Sequence, residues 1–95
     1  MKKLLFDLSE FVDVLTPQAE AMKLAERFAR RRKEKKLSQK RAAQTAGVSY
    51  SSLRRFERSG EISLCSLLKL AYAIGYLEDF EKVFAATAIT DLREL

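Results

Sequence analysis

Histidine and tryptophan are absent from the 95 residues, and cysteine and proline occur once each. Without histidine there is no imidazole ligand for a metal, no imidazole general base and no histidine-centred triad. The lone Cys65 excludes an intramolecular disulfide and a cysteine zinc cluster, and a single thiol points to a reducing cytoplasm as the expected compartment. There is also no glycine-rich phosphate loop and no spacing that pairs a nucleophile with a base. The expected function is therefore binding, with no catalysis, no cofactor and no metal. Three glycines and one proline leave few places to break the chain, and 47% apolar with 33% charged residues is the composition of a folded domain. The expected fold class is all-α, in one domain with a modest core.

No stretch reaches the roughly 18 apolar residues of a membrane span. The amino end, MKKLLFDLSEFVDVL, opens like a secretory signal, but its apolar run breaks at Asp7, short of the roughly 7 to 15 residues of a signal core. Neither a membrane nor a targeting segment is expected.

The formal net charge of +5 is unevenly spread. Residues 1–22 and 61–95 sum to −2 and −3, whereas residues 23–60 hold 13 Lys/Arg against 3 Glu. A basic middle between acidic ends fits a polyanion site. It also fits a solvated helical face, so position has to decide.

Capping and apolar spacing predict five helices. Thr16-Pro17 is a helix start, a hydroxyl N-cap followed by proline at the first helical position. Ala21, Leu24, Ala25 and Phe28 then recur at spacings of three and four. This helix is expected over about 17–35, its last turns loaded with Arg30, Arg31, Arg32, Lys33, Lys35 and Lys36 to suit the dipole's carboxyl end. One device then repeats: Leu37-Ser38, Val48-Ser49 and Ile62-Ser63 each put an apolar residue before a serine cap. Ala42, Leu53 and Leu67 stand at the fourth helical positions to complete a hydrophobic staple. Helices follow over about 38–46, 49–58 and 63–74, with Gly47, Gly60 and Gly75 at their ends. Leu64, Leu67, Leu68, Ala71 and Ile74 mark the apolar side of the fourth, and Phe80, Val83 and Phe84 suggest a short fifth near 77–86. Residues 1–15 form an N-terminal segment of undecided structure: a strand, a short helix from Ser9 or a dimer arm. The domain is expected over 16–86, with 87–95 as a C-terminal tail.

Two short helices joined by a tight Gly-containing turn make a helix-turn-helix. Ala42, Ala43 and Ala46 keep the first helix slim where the second crosses it, and Leu53 and Phe56 face inward. Ser49, Tyr50, Ser51 and Ser52 then open the second helix, the part of such a motif that enters the major groove of double-stranded DNA. Ser49 is doubly employed as the cap. Tyr50 has a choice of thymine methyl, phosphate or its own helix surface. Arg54 and Arg55 diverge by about 100°. Arg55 shares the groove side with Ser51 and is expected on bases, as the bidentate partner of guanine, while Arg54 shares the flank with Tyr50 and is expected on bases or phosphate. Lys40 and Arg41, at the start of the preceding helix, are expected to supply at least one phosphate contact. Cys65 is expected as a half-buried, inert thiol.

The stretch LSQKRAAQTAGVSYSSLRRFERSGE resembles the Cro/phage-repressor-like (Xre) helix-turn-helix family, with its Leu-Ser-Gln opening, Ala and Gly at the turn, and a Glu before the closing Gly. The likeness covers about residues 20–75 and implies a five-helix, lambda-repressor-like bundle. It departs in one place: where many relatives read Glu-x-Gly, this chain reads Glu57-Arg58-Ser59-Gly60. The resemblance implies that Arg32 and Glu57 form a structural ion pair, that Gln39 lies at the DNA backbone and groove edge, and that Ser52 matches a phosphate-contacting position. More narrowly, SLRRFERSGEISLCSLLKLAYAIGYLEDFEKVF is similar to DNA-binding antitoxins encoded beside Hip-type Ser/Thr kinase toxins. The expected function is a sequence-specific repressor that binds a palindromic operator as a homodimer; the likeness further implies autoregulation of a toxin–antitoxin operon and a complex with a Hip-type kinase toxin or an accessory antitoxin protein. Leu64, Leu68, Phe80 and Phe84 exceed what one small core needs, which leaves a dimer interface, a partner groove and a completed core as open readings. A protein-interaction subunit that mainly holds a toxin is the alternative function.

Overall fold

The computed structural model describes residues 15–88, so the expectations for the amino-terminal segment and for most of the tail lie outside the described residues. Four α-helices and one 3₁₀ helix follow in order: α1 (Pro17–Glu34), α2 (Gln39–Ala46), α3 (Tyr50–Ser59), α4 (Leu64–Ala73) and the 3₁₀ helix Leu77–Lys82. Among the described residues there is no strand. The chain is all-α.

Every α-helix starts on a hydroxyl. The side chains of Thr16, Ser38, Ser49 and Ser63 accept the N–H of Ala19, Arg41, Ser52 and Ser66, each at 3.1 Å. Each such cap satisfies a backbone donor that the helix cannot, at about 1 kcal/mol. Leu37, Val48 and Ile62, the residues ahead of the three serines, pack on the core and set the angle at which each helix enters. The ends are equally local. α1 stops where Lys36 turns left-handed (φ 60°), Leu37 N–H reaching back to the Arg32 carbonyl at 3.2 Å and Lys36 N–H to that of Lys33 at 2.9 Å.

Helix α1 packs on α3, and α2 packs on α3 and α4. Phe28 of α1 meets Phe56 of α3 edge to face, ring centroids 5.7 Å apart. Ala42 and Ala43 are buried where α2 crosses its neighbours, and Leu53, Phe56 and Leu70 are the largest fully enclosed side chains. Each of those contributes about 1.5–3 kcal/mol of burial. Helix α4 turns Leu67, Leu70 and Ala71 inward, followed by its C-cap residue Ile74, and leaves Leu64 exposed, Leu68 being half-buried. The spacing left Leu70 out of the core, because a leucine-rich helix marks no single face.

The fifth helix differs from expectation. It is a 3₁₀ turn that ends at Lys82, no residue in it is buried, and its first residue has no side-chain cap. Without a hydroxyl start, and with room on the core for Phe80 but not for Phe84, six residues close into the tighter helix. Phe84 adopts a positive φ of 63° and is 98% exposed. Cys65, expected half-buried, is exposed.

Gly60 closes α3 with φ 83°, and a Cβ there would stand 2.9 Å from the backbone carbon and Cβ of Ala21 on α1. Gly47, also left-handed (φ 74°), has nothing within 4 Å of a Cβ. Gly47→Ala is therefore expected to cost about 1–2 kcal/mol from backbone strain alone. Gly60→Ala is expected to cost clearly more, because α1 and α3 must also part. Urea titrations of the two variants followed by circular dichroism check the order.

Candidate nucleic-acid interface

Helix α3 divides cleanly. Leu53 and Phe56 are buried, Glu57 is turned toward α1, and Tyr50, Ser51, Arg54, Arg55 and Arg58 are exposed. The two groups are separated by the 3.6-residue repeat and nothing else.

The inward polar group is Glu57. Its carboxylate takes Arg32 Nε at 2.7 Å and Arg32 Nη2 at 2.9 Å, and Gln39 Nε2 adds a third bond at 2.8 Å. Arg32 Nη1 donates to the Leu37 carbonyl at 2.8 Å. The pair is mostly enclosed, with side-chain exposures of 7% and 10%. All three guanidinium nitrogens are used. The fork geometry of arginine makes this possible, and lysine has no equivalent.

At the amino end of α3 the serines form a small network. Ser49 Oγ caps the helix and donates to Ser52 Oγ at 2.8 Å, with Ser51 Oγ 3.4 Å away. Ser52 thus accepts there and keeps its own hydroxyl proton unspent. The Tyr50 ring is bracketed by Lys40 Nζ of α2 at 5.5 Å and by the Arg54 guanidinium at 5.4 Å. Three of the nominated residues are therefore brought together as one cation–π unit across the turn. Arg55 lies apart from that unit, and its Nη2 meets Glu61 Oε1 at 3.2 Å. Ser51, Ser52, Arg54, Arg55 and Arg58 line one open concavity of about 270 Å³.

Gln39 is placed differently from the other nominated residues. It opens α2 as expected, but one amide N–H is committed to Glu57, which leaves the second N–H and the amide oxygen for any outside partner. Arg58 is not among the residues the sequence pattern nominates, because it reads there as part of the helix stop. It is exposed and lines a hollow with Gln39, Arg54 and Glu57. Its spacing of four from Arg54 is the signal that would have found it.

A helix-turn-helix family model of the Xre/Cro-like kind matches residues 28–79, more than half of the chain. The chain belongs to this helix-turn-helix family. The match runs from Phe28 in the core to Asp79 in the 3₁₀ helix, and so takes in all of α2, α3 and α4. The family supplies DNA-binding domains of transcription regulators, and α3 is the second helix of the motif. A comparison with curated proteins found no match.

The basic tract does not map onto the helix-turn-helix as a block. Arg31 pairs with Glu34 at 2.6 Å, Lys35 Nζ lies 5.6 Å above the Tyr76 ring, and Arg32 serves Glu57. Arg27 and Arg31 border an apolar groove of about 380 Å³ between α1, α4 and the 3₁₀ helix. Among the described residues no helix is long and apolar enough to cross a membrane, and no cluster of His, Cys, Asp or Glu is suited to a metal ion.

Glu57→Ala strands a buried guanidinium and is expected to cost about 3–5 kcal/mol, a large share of the roughly 5–15 kcal/mol that holds a domain together. Arg32→Lys, which keeps the charge but not the fork, is expected to lose much of the same, and Gln39→Ala about 1 kcal/mol. Thermal and urea unfolding of the three variants checks the ranking. A Glu57→Ala loss below that of Gln39→Ala contradicts it.

Proposed function

We propose that the protein is a sequence-specific transcriptional repressor that binds a palindromic operator as a homodimer, and that it is the antitoxin of a pair whose toxin is a Hip-type Ser/Thr kinase. The observation that carries the DNA reading is the outward side of α3, where Tyr50, Ser51, Arg54 and Arg55 stand together with Lys40 at the rim. In this reading Arg55 reads a base pair from the groove side, and Arg54 takes a base or a phosphate. Ser49, Ser51 and Ser52, with the first-turn amides of α3, approach the backbone and groove edge. Lys40 neutralises phosphate, and Gln39 offers its free amide oxygen near the groove edge. Arg32 and Glu57 touch no DNA and hold α3 in place. Two copies related by a two-fold axis would put their recognition helices in successive major grooves, about 34 Å apart, and so block a promoter.

The antitoxin half of the proposal rests on the likeness of residues 52–84 to antitoxins encoded beside Hip-type kinases. Association has separate support. Leu64 and Tyr72 on α4 are 67% and 73% exposed, and Val83 and Phe84 beyond the 3₁₀ helix are exposed as well. Apolar side chains left in water this way are available to a partner surface. The same residues favour the second reading, a subunit whose main task is to hold a toxin kinase or its accessory protein.

Band shifts with the DNA upstream of its own reading frame separate the two readings. The repressor is expected to bind that DNA with an affinity that falls steeply as salt rises, in proportion to the phosphates neutralised. Arg55→Ala is expected to cost about 1–3 kcal/mol on the preferred site and to relax preference at one base pair. Lys40→Ala is expected to weaken all sequences alike and to reduce the salt slope by about 1. A chain that binds no DNA but co-purifies with the kinase encoded beside it would overturn the repressor reading in favour of the alternative.

A further inference from the structure

We infer that Glu61 is a specificity-determining residue, an acidic guard that orients Arg55 and makes the recognition face a poor partner for DNA of the wrong sequence. The inference rests on the reading of Arg55 as a base contact. Glu61 Oε1 accepts one bond from Arg55 Nη2 at 3.2 Å. An end-on contact of this kind leaves the rest of the guanidinium fork free for a base edge. Both side chains are largely exposed, so the pair adds little to stability. Its position makes it useful.

The carboxylate is not on a loose loop. Gly60 is wedged against Ala21 on one side of it, and Ile62 is packed on the core on the other. The Glu61 N–H donates to Ser59 Oγ at 3.3 Å, and that hydroxyl donates to the Arg55 carbonyl at 2.8 Å. Backbone and side chain thus tie Glu61 to Arg55 twice, through one serine and through one ion pair. Glu61 also borders the hydroxyl-lined cleft formed by Ser52, Ser63 and Ser66. The other acidic side chain near this face, Glu57, is neutralised by Arg32.

A phosphate approaching Arg55 meets the Glu61 charge with a full charge of its own and is strongly repelled, whereas a guanine edge carries only the partial charges of O6 and N7 and is repelled much less. Glu61 therefore lowers affinity for any backbone that slides past more than it lowers affinity for the matched base contact. Discrimination here comes from a repulsive element beside an attractive one.

The test uses the full chain and its Glu61→Gln and Glu61→Ala variants. The preferred duplex is first selected by the wild type from a random-sequence library, and fluorescence anisotropy then measures affinity for that duplex and for a scrambled one at fixed salt. Glu61→Gln is expected to bind the scrambled duplex about threefold to tenfold tighter, with a smaller gain on the selected duplex, so that the ratio of the two falls. Glu61→Ala, which also removes the acceptor, is expected to blur the selected motif at the base pair that Arg55→Ala blurs. Unchanged ratios, or equal gains on both duplexes, overturn the role of Glu61 while leaving the DNA reading standing. A wild type that selects no motif, or an Arg55→Ala variant that selects the unaltered one, brings down the premise instead, and the role of Glu61 with it.

Discussion

A carboxylate removed from water has to be surrounded by donors, and Glu57 gathers its donors from two other parts of the chain. Arg32 comes from the last turns of α1 and Gln39 from the first turn of α2, and Arg32 also holds the Leu37 carbonyl in the turn between them. The interaction therefore fixes the α1–α2 corner and the position of α3 in one step. An apolar substitute of similar volume could supply as much stability. It would not supply direction, because only a fork meeting a carboxylate sets the orientation of both side chains. Helix α3 is presented at a defined angle because its buried carboxylate is held by donors from two fixed directions.

The rest of the bundle is assembled from local devices. Three serine caps, each preceded by an apolar residue, start α2, α3 and α4, and three left-handed glycines close or follow them. Each device is contained within four or five consecutive residues, which is why the sequence alone places these helices within a residue or two. The 3₁₀ segment shows the converse. Tyr76 provides no side-chain cap, and the apolar spacing of Phe80, Val83 and Phe84 then overstates the helix. Periodicity proposes a buried face, but it does not say whether anything is there to bury it against.

Charge was harder to read along the chain. The tract from Arg30 to Lys36 looks like one basic surface in sequence, yet a helix distributes consecutive residues around its axis. Arg31, Arg32 and Lys35 accordingly end beside Glu34, Glu57 and Tyr76. The Tyr50 unit was hidden for the opposite reason: Lys40 and Arg54 are 14 positions apart and meet at one ring only after α2 and α3 have folded. The roles of Arg54 and Arg55 as outward residues were legible because they depend only on the phase of one helix against Leu53 and Phe56. Arg58 shares that phase and was masked by the stop signal that follows it.

Glu57 is tied to Arg32 and Gly60 is pressed against Ala21, and both partners belong to α1. With two attachment points three residues apart, α3 has no freedom to rotate about its own axis. The additional residue in Glu57-Arg58-Ser59-Gly60 is accommodated between those points as a last helical residue, downstream of every side chain from Tyr50 to Arg55. An insertion upstream of Glu57 would instead swing that whole set by about 100° and carry the apolar positions out of the core with it. The helix works like a key with a fixed shank: its teeth can be recut one at a time, but they cannot be turned.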